Sequence, residues 1–263
     1  MEYGRLIVAL ATPFRPDLEV DYDKTAELAR RLVAEGATAF VSAGTTGESP
    51  TLSREERIEL VKTLKKAVRV PIIANVGTND TRASIRNAKD AEEAGADGLL
   101  LVVPYYNKPD QGMLFDHFKA IAESVKIPSM LYNVPGRTAA SVRPETVVKL
   151  SREVPNIRYV KEASGDLEAL TQIVRDSAPG FLAYTGDDSM TLPSLAVGAY
   201  GVVSVSGHVI GKQMKEMIDA YVAGYVVKAA ELHGKLLPLN RALFLQPNPV
   251  PLNAAFKLCG FDA

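Results

Sequence analysis

A closed (β/α)8 barrel, or TIM barrel, with extra C-terminal helices is the fold class that the sequence predicts, and three observations carry it. Eight short apolar, β-branched runs alternate with eight stretches of helical periodicity. Most of the runs are apolar on both faces, as a parallel sheet covered on its outside requires, and their number suits closure. An open doubly wound sheet would carry Gly-x-Gly-x-x-Gly after its first strand, where Ala9-Leu10-Ala11-Thr12-Pro13-Phe14 stands instead. The 263 residues, 47% of them hydrophobic, suffice for one large domain. The expected organisation is a barrel over residues 1–223 and a helical extension over residues 224–263.

Arg5 to Leu10 reads as the first strand, and Asp21 to Glu35 as a helix stopped at Gly36. Leu6 to Ala11 has the length of a short signal-peptide core, but Thr12-Pro13-Phe14 follows with no small-residue cleavage pattern. Ala39 to Ala43 is the second strand. Ser53 then caps a helix to about Lys66, with Glu56 three residues on in a capping-box pattern. Pro71 to Val76 is the third strand, before a helix from about Asp80 to Ala94 ended by Gly95. Gly98 to Val103 is the fourth, with a helix from about Gln111 to Ser124. Pro128 to Asn133 is the fifth, and Pro144 sits in the first turn of the helix after it. Ile157 to Ala163, Phe181 to Tyr184 and Gly201 to Val205 complete the eight, each followed by a helix. Tyr225 to Leu237 and Val250 to Leu258 read as additional helices.

Charge and composition narrow the function. With 30 Lys+Arg against 31 Asp+Glu the chain has no electrostatic footprint for nucleic acid or an anionic membrane, so a small molecule is the expected partner. The single cysteine, Cys259, cannot form an internal disulfide, and a cytoplasmic location is the default. The longest apolar runs, such as Gly98 to Pro104, are far too short to span a bilayer.

Chemistry-bearing residues fall repeatedly at the C-terminal ends of the strands, where a barrel builds its sites. Lys161 shares a strand face with Ile157 and Tyr159, and a buried face would carry its amine inward. Burial disfavours the ammonium, and the free amine attacks carbonyls. The alternative is a lysine that ends its strand and snorkels to water. Ala43-Gly44-Thr45-Thr46-Gly47-Glu48-Ser49 sets two hydroxyls between glycines, a cradle for a carboxylate or an ordinary Gly-rich connection. Of the adjacent Tyr105 and Tyr106, at least one must point away from any shared site, into core or subunit contact. Tyr132 ends the fifth strand with a phenol, and Arg137 offers a planar fork to a carboxylate. Their plainer readings are core packing and a solvated loop charge. Together these residues suggest a Schiff-base site. Metal chemistry is poorly supported: His117, His208 and His233 have no ligand spacing, and Asp187-Asp188 lacks partners. His117 and His233 read as helix-surface residues and His208 as a loop residue near the rim of the site.

Five motifs then point to one family. Gly44-Thr45-Thr46-Gly47-Glu48-Ser49, Pro104-Tyr105-Tyr106-Asn107, Tyr132 to Thr138, Lys161 to Asp166 and Gly201 to Val205 resemble, in order and register from about Leu6 to Pro251, the dihydrodipicolinate synthases of the pyruvate-dependent class I aldolase superfamily. The resemblance implies condensation of pyruvate with aspartate semialdehyde through an imine on Lys161, with no other cofactor. It implies a proton relay of Tyr132, Thr45 and Tyr106, with Tyr106 contributed by a neighbouring subunit of a homotetramer built as a dimer of dimers. Thr46 and the carbonyl of Val203 would hold pyruvate. Arg137, Gly186 and Asp187 would receive the second substrate. The alternative keeps the barrel and lysine but takes a sugar acid, as in N-acetylneuraminate lyase or the 2-keto-3-deoxy sugar acid aldolases, and Arg137 speaks against it.

In lysine-inhibited members the effector pocket uses residues that match Ser49, Asn79 and Tyr105. It also uses a glutamate where this chain has Ala83 and histidines where it has Arg54 and Arg57. Loss of the carboxylate and gain of cations imply weak or absent inhibition by lysine. Against that resemblance, the helical extension over residues 224–263 is expected to be shortened relative to the family's.

Overall fold

The structure, a computed structural model, describes residues 2–261. In chain order, β1 (Leu6–Ala9), α1 (Tyr22–Ala34), β2 (Ala39–Ser42), α2 (Arg54–Ala67), β3 (Ile72–Asn75) and α3 (Thr81–Glu93) open the alternation. β4 (Gly98–Val102), α4 (Gln111–Ala122), β5 (Ser129–Asn133), α5 (Pro135–Thr138), α6 (Pro144–Glu153), β6 (Ile157–Glu162) and α7 (Leu167–Asp176) continue it. β7 (Leu182–Thr185), α8 (Thr191–Ala196), β8 (Gly201–Ser204), α9 (Gly207–Val222), α10 (Val226–Ala242) and α11 (Val250–Leu258) complete it. The strands form a closed parallel barrel in the order β1 to β8, the fold class expected from the sequence. No helix among the described residues is long and apolar enough to cross a membrane.

Local chemistry sets the element boundaries. Asp21, Asp80, Asp110 and Asp166 each accept a backbone N–H from the first turn of the helix they precede. Ser53 and Glu56 form the expected capping box, with Ser53 N–H donating to Glu56 Oε2 at 2.7 Å and Glu56 N–H to Ser53 Oγ at 3.2 Å. Helix α10 runs past the expected end at Leu237 and contains Pro238. A proline lacks one N–H and disfavours a helix without forbidding it where packing holds the turn. The single turn α5, directly after β5, has too short a pattern to read from sequence.

By internal contacts the chain forms two compact units. In one, residues up to 72 together with those from 203 on, β1 pairs with β2 through Ile7↔Ala39, Val8↔Phe40 and Ala9↔Val41, α1 packs on α2, and α9 on α10. In the other, residues 73–202, β3 through β7 pair in sequence and β7 meets Gly201 and Val202. Here Leu99 to Leu101, Met130, Leu131 and Val160 are buried, as strands covered on both sides require.

Candidate active site

In the unit of residues 73–202, Lys161 lies one residue from the end of β6 and is 6% exposed. Its neighbours in the β6 alternation, Ile157 and Tyr159, are buried with it. The parallel register pairs Lys161 with Tyr132 on β5. The Lys161 Nζ stands 4.3 Å from the centre of the Tyr132 ring, so strand pairing alone sets an amine beside a phenol. Gly186, just after β7, leaves room for the lysine: a Cβ there would lie 2.8 Å from Lys161 Cε and 2.7 Å from Ala163 Cβ. Asp187 carries its carboxylate in a local turn, accepting from Ser189 N–H at 2.8 Å and Ser189 O–H at 2.7 Å.

Arg137 sits exposed on α5. Its segment is knit by Thr138, whose hydroxyl donates to Ala140 O at 2.7 Å, and by Ala139 at φ 53°. Tyr105 is exposed and Tyr106, at φ 70°, is 87% exposed, so neither shares the burial of Lys161 and Tyr132. Asn79 Nδ2 donates to Tyr105 O at 3.3 Å, and Asn107 Nδ2 returns a bond to Asn79 O at 3.0 Å. Left-handed backbone at non-glycine positions is uncommon and persists only where surroundings over-determine it. It recurs at Tyr106, Lys108 and Ala139, in the segments after β4 and β5.

The other unit holds the Gly44 to Ser49 loop, directly after β2, with Ala43 and Glu48 also left-handed. Thr46 is buried and its Oγ1 accepts from Asn248 Nδ2 at 2.9 Å. A hydroxyl that accepts there still has its own hydrogen to donate. The carbonyl of Gly47 accepts from Thr12 Oγ1 at 2.9 Å, and a Cβ on Gly47 would meet Leu10 O at 2.8 Å. Thr45 is half-buried, its carbonyl accepting from Glu48 N–H at 3.1 Å. Ser49 O accepts from Arg57 Nη2 at 2.6 Å. Val203 is buried on β8.

Two histidines differ from the sequence expectation. His208 lies in the first turn of α9 and is 1% exposed, not in a loop. Its Nε2 accepts from Ala11 N–H at 3.1 Å, so Nδ1 carries the hydrogen and donates to Val205 O at 2.8 Å. Burial pushes it down from 6.5 to about 4. His117 is on α4 but buried beside Phe118, with Nδ1 2.8 Å from Thr81 Oγ1, and burial likewise lowers it to about 4. Each ring packs against an aromatic partner that periodicity does not reveal. His233 is half-buried on α10. Among the described residues no group of three or more His, Cys, Asp or Glu could hold a metal ion.

Asn248 carries no sequence signal beyond the Pro247-Asn248-Pro249 punctuation of a loop. Asn133 and Glu162, paired in the β5–β6 register beside Tyr132 and Lys161, carry no separate signal of a role.

A model of the dihydrodipicolinate synthetase family matches residues 2–263. The 4-hydroxy-tetrahydrodipicolinate synthase of Bacillus subtilis is 50% identical, over 100% of this chain and 91% of its own. Among solved structures, a dihydrodipicolinate synthase from Bacillus anthracis superposes with a TM-score of 0.97 at 47% identity, covering 100% of this chain and 90% of that one. A lysine-bound enzyme of the same kind from Cyanidioschyzon merolae does so at 0.97 and 44% identity, covering 99% and 89%.

Proposed function

The chain belongs to the dihydrodipicolinate synthetase family, and we propose on that basis that it condenses pyruvate with aspartate 4-semialdehyde to 4-hydroxy-tetrahydrodipicolinate, a step towards diaminopimelate and lysine. The observation that carries the reading is the buried amine of Lys161 against the ring of Tyr132. In this reading the amine attacks C2 of pyruvate and water leaves as the imine forms. Loss of a C3 proton gives an enamine, which adds to the aldehyde carbon. The amino group of the adduct then attacks the imine carbon, displaces Lys161 and closes the ring. Carbinolamine formation and dehydration each move a proton, which is the work assigned to Tyr132, Thr45 and Tyr106.

Thr46 and the Val203 carbonyl hold pyruvate, while Arg137, Gly186 and Asp187 receive the semialdehyde, whose carboxylate suits a guanidinium fork. Tyr106, exposed in the single chain, serves a neighbouring subunit of a homotetramer. A cytoplasmic location belongs to the same proposal.

Borohydride reduction in the presence of pyruvate tests it. The expected adduct is on Lys161, with condensation of aspartate semialdehyde and no retro-aldol cleavage of sialic acid. An adduct elsewhere, or none, overturns the mechanism. Inhibition by lysine is expected to be weak or absent, because Ala83 supplies no carboxylate to an effector ammonium and Arg54 and Arg57 add charge of the wrong sign. A micromolar inhibition constant would refute this.

A further inference from the structure

Glu162 is a buried carboxyl that the proposed chemistry leaves idle. It follows Lys161 in β6, so the alternation of the strand turns it to the opposite face, away from the amine. It is 4% exposed. Asn133 Nδ2 donates to both of its oxygens, at 3.1 Å to Oε1 and 2.9 Å to Oε2, and Ser164 N–H donates to Oε1 at 2.8 Å. Burial raises its carboxyl above the usual range, and these donors pull it back.

The consequence lies in Asn133, itself buried, which pairs with Glu162 in the β5–β6 register. An amide has one accepting and one donating end, and the carboxyl fixes which is which. With its NH2 held by Glu162, Asn133 turns its Oδ1 to the chain beyond Arg137, accepting from Val142 N–H at 3.2 Å and Ser141 Oγ–H at 3.2 Å. A flipped amide would set oxygen against the carboxyl and NH2 against the Val142 N–H. Residues 134–142 leave β5 at Asn133 and return to it, with Arg137 between. Gln111 holds the far side of that return, donating to Ser141 O at 2.9 Å and accepting from Arg143 N–H at 2.9 Å and from Thr146 Oγ1–H at 2.8 Å, and none of these bonds reaches β6.

We propose that Glu162 is a positioning residue: through the oriented amide of Asn133 it fixes the return of the Arg137 segment, and so sets the affinity for the second, carboxylate-bearing substrate. The inference rests on the proposed role of Arg137. Glu162 thereby divides β6 between two tasks, with Lys161 serving the first substrate on one face and Glu162 the second substrate on the other.

Steady-state kinetics with both substrates varied test it. The wild type and Arg137→Ala come first: condensation by the wild type and a raised aspartate semialdehyde KM in the variant establish the reading beneath the inference. Failure of either overturns that reading and removes the inference with it. Glu162→Gln places an NH2 where Oε2 accepts from Asn133. Loss of this buried hydrogen bond, with the Asn133 NH2 left facing another NH2, predicts a semialdehyde KM raised about tenfold, with kcat and the pyruvate KM within about twofold of wild type. The borohydride adduct with pyruvate should form in full.

Adding Asn133→Asp to Glu162→Gln restores one donor facing one acceptor, since the new carboxylate accepts from the glutamine amide and from Val142 and Ser141. The semialdehyde KM should return towards wild type, a rescue that generic loss of packing does not give. An unchanged KM in Glu162→Gln, a parallel loss in kcat and both KM values, or no rescue overturns the proposal. Should Glu162→Gln not fold, Ser141→Ala removes one half-buried hydrogen bond of the same network and predicts a semialdehyde KM raised about threefold. An unchanged KM in that variant overturns the proposal as well.

Discussion

Tyr132 and Lys161 meet because β5 and β6 are parallel and in register, so the ring and the amine lie side by side on one face. Lysine and tyrosine at two strand ends are visible in the sequence. Their contact is not, because register is fixed by the whole sheet. Tyr132→Phe keeps the ring that packs against Lys161 and removes only the hydroxyl. Pyruvate should still bind and be trapped by borohydride, while turnover falls about a hundredfold or more, as for loss of a proton-transfer group. Unchanged turnover measured in the condensation assay would remove Tyr132 from the relay. The two histidines belong to this scale too: His117, midway along α4, bonds Thr81, and His208, in the first turn of α9, packs on Phe256, and these distant partners are decided by tertiary structure.

Elements bring the next surprise, in the loop between α10 and α11. Asn248 lies 202 positions from Thr46 in sequence, yet donates to its hydroxyl. Prolines on either side marked the segment as a loop, and nothing in that pattern says what the loop touches. Asn248→Ala should free the Thr46 hydroxyl to turn, raising the pyruvate KM about tenfold or less by loss of one neutral hydrogen bond and its orientation. A pyruvate KM equal to wild type would separate Asn248 from pyruvate binding. Helix starts, by contrast, were legible almost to the residue. Asp21, Ser53 and Asp80 cap where their short polar side chains reach free N–H groups, a local interaction that needs no distant partner.

At the scale of the whole molecule, the exposed Tyr106 beside exposed Tyr105 is the feature a single chain does not explain. If Tyr106 works in a neighbouring subunit, chains of Lys161→Ala and Tyr106→Phe complement each other. Each mixed dimer has one site with both groups intact, so an equal mixture after subunit exchange should recover up to about a quarter of wild-type activity. No recovery, with mixed oligomers demonstrated by mass, would place Tyr106 in its own subunit's chemistry or outside it.

The sequence by itself determined the alternation of eight strands and helices, the helix caps, and the identity of the amine, phenol, hydroxyl and guanidinium that mark the family. These depend on periodicity and on local side-chain chemistry, which the chain carries within a few residues. Tertiary structure alone decided that Lys161 stands against Tyr132, that Gly186 clears its path, that Asn248 reaches Thr46, and that Asn133 donates to Glu162. Such contacts join segments 25 to 202 residues apart. They form only when strand register and loop return are set together, and neither quantity is written in any one stretch of the chain.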